Sequence, residues 1–67
     1  MPTINFYGPE MTKEQKEEMV KGFTKVASQV LGKTEKAFTV YIWEIGQENV
    51  GLGGELMSEK GKGKGNQ

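Results

Sequence analysis

Two short alternating runs flank one long stripe of helical spacing. From Thr3 to Tyr7 the positions alternate, with Ile4 and Phe6 on one face and Thr3, Asn5 and Tyr7 on the other. A period of two predicts a half-buried strand. Gly8-Pro9 ends it, because proline cannot donate to a ladder. Met19, Val20, Phe23, Val26, Ala27, Val30 and Leu31 then form an apolar stripe that predicts a helix over about residues 13 to 31. Thr12-Lys13-Glu14-Gln15 reads as its capping box, and Glu14, Glu17 and Glu18 suit the positive end of the helix dipole. Gly32 suits the position just past the end. Gly22 sits mid-helix at a cost of roughly 1 kcal/mol relative to alanine, and marks either a close helix contact or a tolerated glycine.

Lys33 to Lys36 is a short polar connection. The run from Phe38 to Ile45 is β-branched and aromatic, and predicts a second strand. Phe38, Val40 and Ile42 share the face that packs under the helix; Thr39, Tyr41 and Trp43 share the other. Strand, helix and strand within 45 residues predict a β-α-β unit, with parallel strands and a right-handed crossover. Two large aromatics on the outer face mark an interface or a binding site.

Beyond the second strand, residues 46 to 55 read as a loop around Gly51-Leu52-Gly53-Gly54. Glycines there permit positive φ. The run has neither the spacing of a dinucleotide fingerprint nor the Lys-Ser/Thr of a P-loop, so a hairpin turn or subunit contact is the better reading than a phosphate cradle. Residues 55 to 58 read as a short terminal strand or hairpin arm. This divides the chain into a folded unit over residues 1–58 and a Lys/Gly-rich tail over 59–67, which its composition makes flexible.

Composition narrows the chemistry. A chain of 67 residues that is only 34% apolar has material for a thin core. Chains of this size use disulfides, a metal or oligomerisation for stability. With no Cys and no His, disulfides and the common zinc sites are excluded, so a homo-oligomer is expected. Nine lysines balance nine glutamates, without the basic footprint of a nucleic-acid binder. No apolar run reaches membrane-spanning length and no signal peptide is visible, so the expected compartment is the cytoplasm. Without His, Cys or Asp, neither a His-based triad nor a Cys nucleophile can be built. Glu, Lys, Tyr and a free N-terminus remain as proton-transfer groups.

The N-terminus draws the eye because Pro2 is the second residue. A small second residue permits removal of Met1. Pro2 would then carry a free secondary amine, held in place by the strand that follows it.

Pro2, the short strand, the capped helix with Glu14-Gln15-Lys16, the second strand and Gly51-Leu52-Gly53-Gly54-Glu55-Leu56 together resemble the 4-oxalocrotonate tautomerase family of the tautomerase superfamily. Tyr7-Gly8-Pro9 and Asn49-Val50-Gly51 add a likeness to its 2-hydroxymuconate tautomerase-like branch. The resemblance runs from Pro2 to about Ser58. It implies an α/β fold, a single β-α-β unit with parallel strands and a short C-terminal hairpin arm, assembling into dimers and commonly hexamers. It implies an isomerase that converts an enol or dienol acid, such as 2-hydroxymuconate, to its oxo form, with no metal and no organic cofactor. Its general base is the N-terminal proline, a role that falls on Pro2.

The chain also departs from that family's pattern. The family's arginine before the helix has no counterpart in Glu10-Met11-Thr12, and its second-strand arginine is replaced by Thr39. A pocket aromatic is replaced by Val50, and a backbone N–H donor falls near Pro9, which has none. Lys33 and Lys36 are the candidate replacements for the arginines, with Thr39, Tyr41 and Trp43 as candidate substrate-binding walls in a site formed between subunits. Two alternatives stay open: a non-enzymatic oligomeric scaffold of the same fold, and a hydratase or dehalogenase-like member using Pro2 as an acid.

Overall fold

The computed structural model describes residues 1–59. In chain order these form β1 (Thr3–Gly8), α1 (Lys13–Leu31), a 3-10 turn (Glu35–Ala37), β2 (Thr39–Glu44), a second 3-10 turn (Gln47–Asn49), β3 (Gly51–Leu52) and β4 (Glu55–Leu56). Strands β1 and β2 pair in parallel, in register from Thr3 with Thr39 to Gly8 with Glu44. One bond extends the ladder at each end. The Thr39 N–H donates to the Pro2 carbonyl at 3.1 Å, and the Ile45 N–H donates to the Gly8 carbonyl at 2.7 Å.

The helix forms where its caps place it. The Thr12 hydroxyl oxygen accepts from the Gln15 N–H at 3.1 Å, and the Gln15 side-chain oxygen accepts from the Thr12 N–H at 3.0 Å. The reciprocal pair satisfies two donors that a helix start otherwise leaves open. At the other end Gly32 adopts φ 67°, a left-handed conformation that costs glycine least, and its N–H closes on the Ser28 carbonyl at 2.9 Å.

Phe6 of β1 meets Phe23 of α1 with ring centroids 5.6 Å apart, so the Ile4/Phe6 and Val40/Ile42 face lies under the helix as the alternation predicts. The apolar stripe is only partly core, however. Val26 is 60% and Val30 77% exposed, and no described residue is fully buried. The reason is geometric: two strands cover one side of one helix and leave its flanks open. Among the described residues, and apart from the adjoining residues and backbone of its own helix, nothing lies within 4 Å of where a Cβ on Gly22 would sit, so no close packing calls for a glycine there.

Strands β3 and β4 pair antiparallel, Gly51 with Leu56 and Leu52 with Glu55. The two residues between them, Gly53 at φ 63° and Gly54 at φ 88°, both take the positive φ that a tight two-residue hairpin turn of type I′ requires. The expected loop over 46–55 therefore already contains the first arm of a hairpin. The second arm is shorter than expected: pairing stops at Leu56, and residues 57–59 are helical. From Lys60 onward, the tail expected from composition lies outside the described residues.

Candidate active site

Pro2 lies immediately before β1, and its carbonyl is tied to the first residue of β2 through the Thr39 N–H. A parallel crossover fixes this neighbourhood: α1 runs back across the sheet, so its C-terminal end and the connection carrying Lys33 and Lys36 arrive where β2 begins. Both lysines are exposed there. Pro2 is half-buried and continues the alternation of Ile4 and Phe6, the residues of β1 turned to the helix.

Thr39, Tyr41 and Trp43 occupy the opposite face of the sheet, in register with Thr3, Asn5 and Tyr7. The Trp43 ring stacks on Tyr7 at 5.8 Å between centroids, and its indole N–H donates to the Asn5 side-chain oxygen at 3.0 Å. Tyr41 leans on Trp43 at 6.5 Å. These contacts fix the indole on an outer face where Tyr7, Tyr41 and Trp43 remain 63%, 51% and 48% exposed. Within one chain Pro2 is thus joined to Thr39 through the backbone, while Trp43 stands four residues further along β2, about 13 Å at strand spacing.

The far end of the sheet holds a groove. Tyr7, Gly8, Pro9, Ile45, Gln47, Val50 and Met57 line a cavity of about 410 Å³. It brings the end of β1 together with the residue just before the hairpin, and Met57 is drawn in by its N–H donating to the Val50 carbonyl at 2.7 Å. Pro2 and this groove are separated by the length of β1, on the order of 20 Å. A single chain therefore holds its candidate base and this groove at opposite ends of the sheet.

Glu44 was not legible as a site residue. One of its carboxylate oxygens accepts from the Met11 N–H at 2.9 Å and pairs with the Lys16 ammonium at 2.9 Å. Met11 is 33 residues away in sequence, so no local spacing signals the contact. It joins the end of β2 to the segment that leads into α1. The backbone hydrogen bond from Met11, and then that from Lys16, hold the Glu44 carboxyl below its ordinary value of 4.5.

Among the described residues no group of three or more acidic, His or Cys side chains is placed to hold a metal ion. No helix among them is long and apolar enough to cross a membrane.

The family model described as tautomerase enzyme matches residues 2–60 of the chain. The chain belongs to the tautomerase family. A probable tautomerase of Helicobacter pylori is 38% identical over 61 residues, covering 82% of this chain and 87% of the relative. The crystal structure of DmpI from Archaeoglobus fulgidus superposes with a TM-score of 0.77 at 38% identity, over 85% of this chain and 98% of that one. A 4-oxalocrotonate tautomerase isozyme from Methylibium petroleiphilum gives 0.78 at 26% identity, over 90% and 98%. The tautomerase fold expected from the sequence, with its β-α-β unit and small antiparallel hairpin, is the fold observed. Tautomerases are isomerases, and the match spans nearly every described element of this chain.

Proposed function

We propose that the protein is a cofactor-independent tautomerase in which the amine of Pro2, freed by removal of Met1, acts as the general base on a small enol or dienol acid. The carrying observation is the anchorage of Pro2: the hydrogen bond from Thr39 to its carbonyl holds the residue by an atom that takes no part in the chemistry. Removal of Met1 would convert the Pro2 nitrogen from an amide to a free amine without disturbing that bond.

The reaction balances within the substrate. The amine accepts the proton of the enol hydroxyl as its electron pair closes a carbonyl. The double bonds shift along the conjugated system, and the same proton, or one exchanged with water, is returned to carbon. An α-amino group ordinarily titrates near 7.7–8.0, roughly. Enclosure in a partly apolar site formed between subunits would lower that value by disfavouring the charged form, the direction that a general base working near neutral pH requires.

The active unit is a homo-oligomer, with 2-hydroxymuconate-type acids as the substrate class. Support comes from the absence of any fully buried residue among those described, and from the exposed Tyr7, Tyr41 and Trp43 face. The separation of Pro2 from the groove at Tyr7, Pro9 and Val50 supports a site completed by a neighbouring subunit. With no arginine in the chain, the substrate carboxylate falls to lysine or backbone N–H groups, and Lys33 and Lys36 lie at the Pro2 end of the sheet.

The test is the ultraviolet change of enol-to-keto conversion, followed with processed protein and with Pro2→Ala. Undiminished ketonisation by Pro2→Ala removes the residue from the mechanism. Loss of at least a hundredfold supports it. If the processed wild type itself ketonises no enol acid, the chain is an oligomeric scaffold that kept the fold.

A further inference from the structure

We infer that Tyr7 is the residue against which the conjugated chain of the substrate packs, with Trp43 as the positioning residue that holds the Tyr7 ring. This rests on the tautomerase reading above and names a binding residue of that same site.

The groove at the end of the sheet is neutral. Pro9, Ile45, Val50 and Met57 give it an apolar wall, and none of the described residues lining it carries a charge. Such a lining suits the unsaturated stretch of an enol acid and leaves the carboxylate to the lysines at the Pro2 end of a neighbouring subunit. A planar conjugated chain packs best on another flat π surface. Tyr7 is the only aromatic among the described lining residues. Tyr41 and Trp43, the pocket walls that the aromatic run of β2 suggests, do not line the groove.

The sheet explains the difference. Tyr41 pairs with Asn5, two positions back from the pairing of Tyr7 with Trp43. Trp43 is turned back along β1, because its indole N–H donates to the Asn5 side-chain oxygen at 3.0 Å. Tyr7 is left as the aromatic that reaches the loops following the two strands. Its ring and the indole are 18° from parallel with centroids 5.8 Å apart, an offset stack that engages one face of the tyrosine. Tyr7 is nevertheless 63% exposed, so the rest of the ring stays open to a ligand. Trp43 thus restrains the ring before the ligand arrives, and little side-chain freedom is lost on binding.

The test uses the processed, full-length protein. Tyr7→Phe keeps the ring and should hold KM within about twofold of the wild type, whereas Tyr7→Leu should raise it roughly fivefold or more. In both, kcat should stay nearly unchanged, the mark of a contact that binds without taking part in proton transfer. A residue that only supported the fold would lower the active fraction, and with it the apparent kcat, instead. Fluorine NMR of the wild-type sequence carrying fluorotyrosine reads the same contact without a substitution at Tyr7. The probe is sorbate, a conjugated dienoic acid with no enol hydroxyl to ketonise. The chain has two tyrosines, and Tyr41→Phe assigns their signals. Sorbate is expected to inhibit competitively and to move the Tyr7 signal while the Tyr41 signal stays. An active enzyme in which Tyr7→Leu keeps the wild-type KM overturns the role of Tyr7 and leaves the tautomerase reading standing. A Tyr7 signal that sorbate leaves unmoved does the same, and decides the matter if Tyr7→Leu fails to fold. A processed wild type that ketonises no enol acid overturns both.

Discussion

The Thr39 N–H and the Pro2 carbonyl, 3.1 Å apart, join the start of one strand to the start of the other using backbone atoms alone. No side chain is needed to hold Pro2 where it is. Pro2→Ala therefore keeps the tether, and its effect on turnover reports chemistry rather than placement. The expected outcome is a fall in kcat with an unchanged thermal midpoint, checked by steady-state kinetics and calorimetry on the same preparation.

The state of the N-terminus decides whether that chemistry exists. A retained Met1 makes the Pro2 nitrogen an amide, which has no basic lone pair. Blocking removal, for instance by an N-terminal extension, is expected to abolish ketonisation while leaving the circular dichroism spectrum unchanged. Intact-mass measurement of the active protein should show the loss of one methionine.

Glu44 gives the fold an acid-side weakness. Its carboxyl is held below 4.5 by Met11 and Lys16, so the folded state binds that proton less readily than the unfolded chain. The stabilisation is complete above the unfolded value and is lost as pH falls through the lower, folded value. In Glu44→Gln, thermal midpoints measured from pH 7 down to pH 3 should start below the wild type and converge with it toward the acid end. A constant gap across that range would mean the carboxylate charge contributes nothing.

Thr12 is the residue on which the helix start depends most. Thr12→Ala removes the acceptor for the Gln15 N–H. It should lower stability by about 1 kcal/mol, read by urea unfolding. Thr12→Ser keeps the hydroxyl and should recover most of the loss.

Trp43 is the single tryptophan, so its fluorescence reports one site. Asn5→Ala removes the acceptor of the indole N–H. The expected result is a shifted emission maximum and a destabilisation of roughly 0.5–1.5 kcal/mol. An unchanged spectrum would show that the Tyr7 stack alone sets the indole environment.

Most of the fold could be read from local pattern. The alternation of Ile4 and Phe6, the Thr12 and Gln15 caps and Gly32 each encode their structure within a few residues, and each appears where expected. The hairpin was half legible: the glycines announced a turn, but Gly51 and Leu52 are too short a run to read as a strand. What the sequence concealed was long-range. The Glu44 to Met11 contact spans the whole helix, and the open flank of Val26 and Val30 depends on how little two strands can cover. Pro2 became a candidate only through the company of the other elements, since nothing in a second-position proline alone distinguishes it.

A chain in which no described residue is fully withdrawn from water has little reason to hold its shape alone. If the remaining burial comes from neighbours, folding and association are one equilibrium, and the midpoint of unfolding rises with protein concentration. Dilution then acts as a denaturant, and the specific activity of a nanomolar stock should fall with time while a micromolar stock of the same preparation keeps its rate.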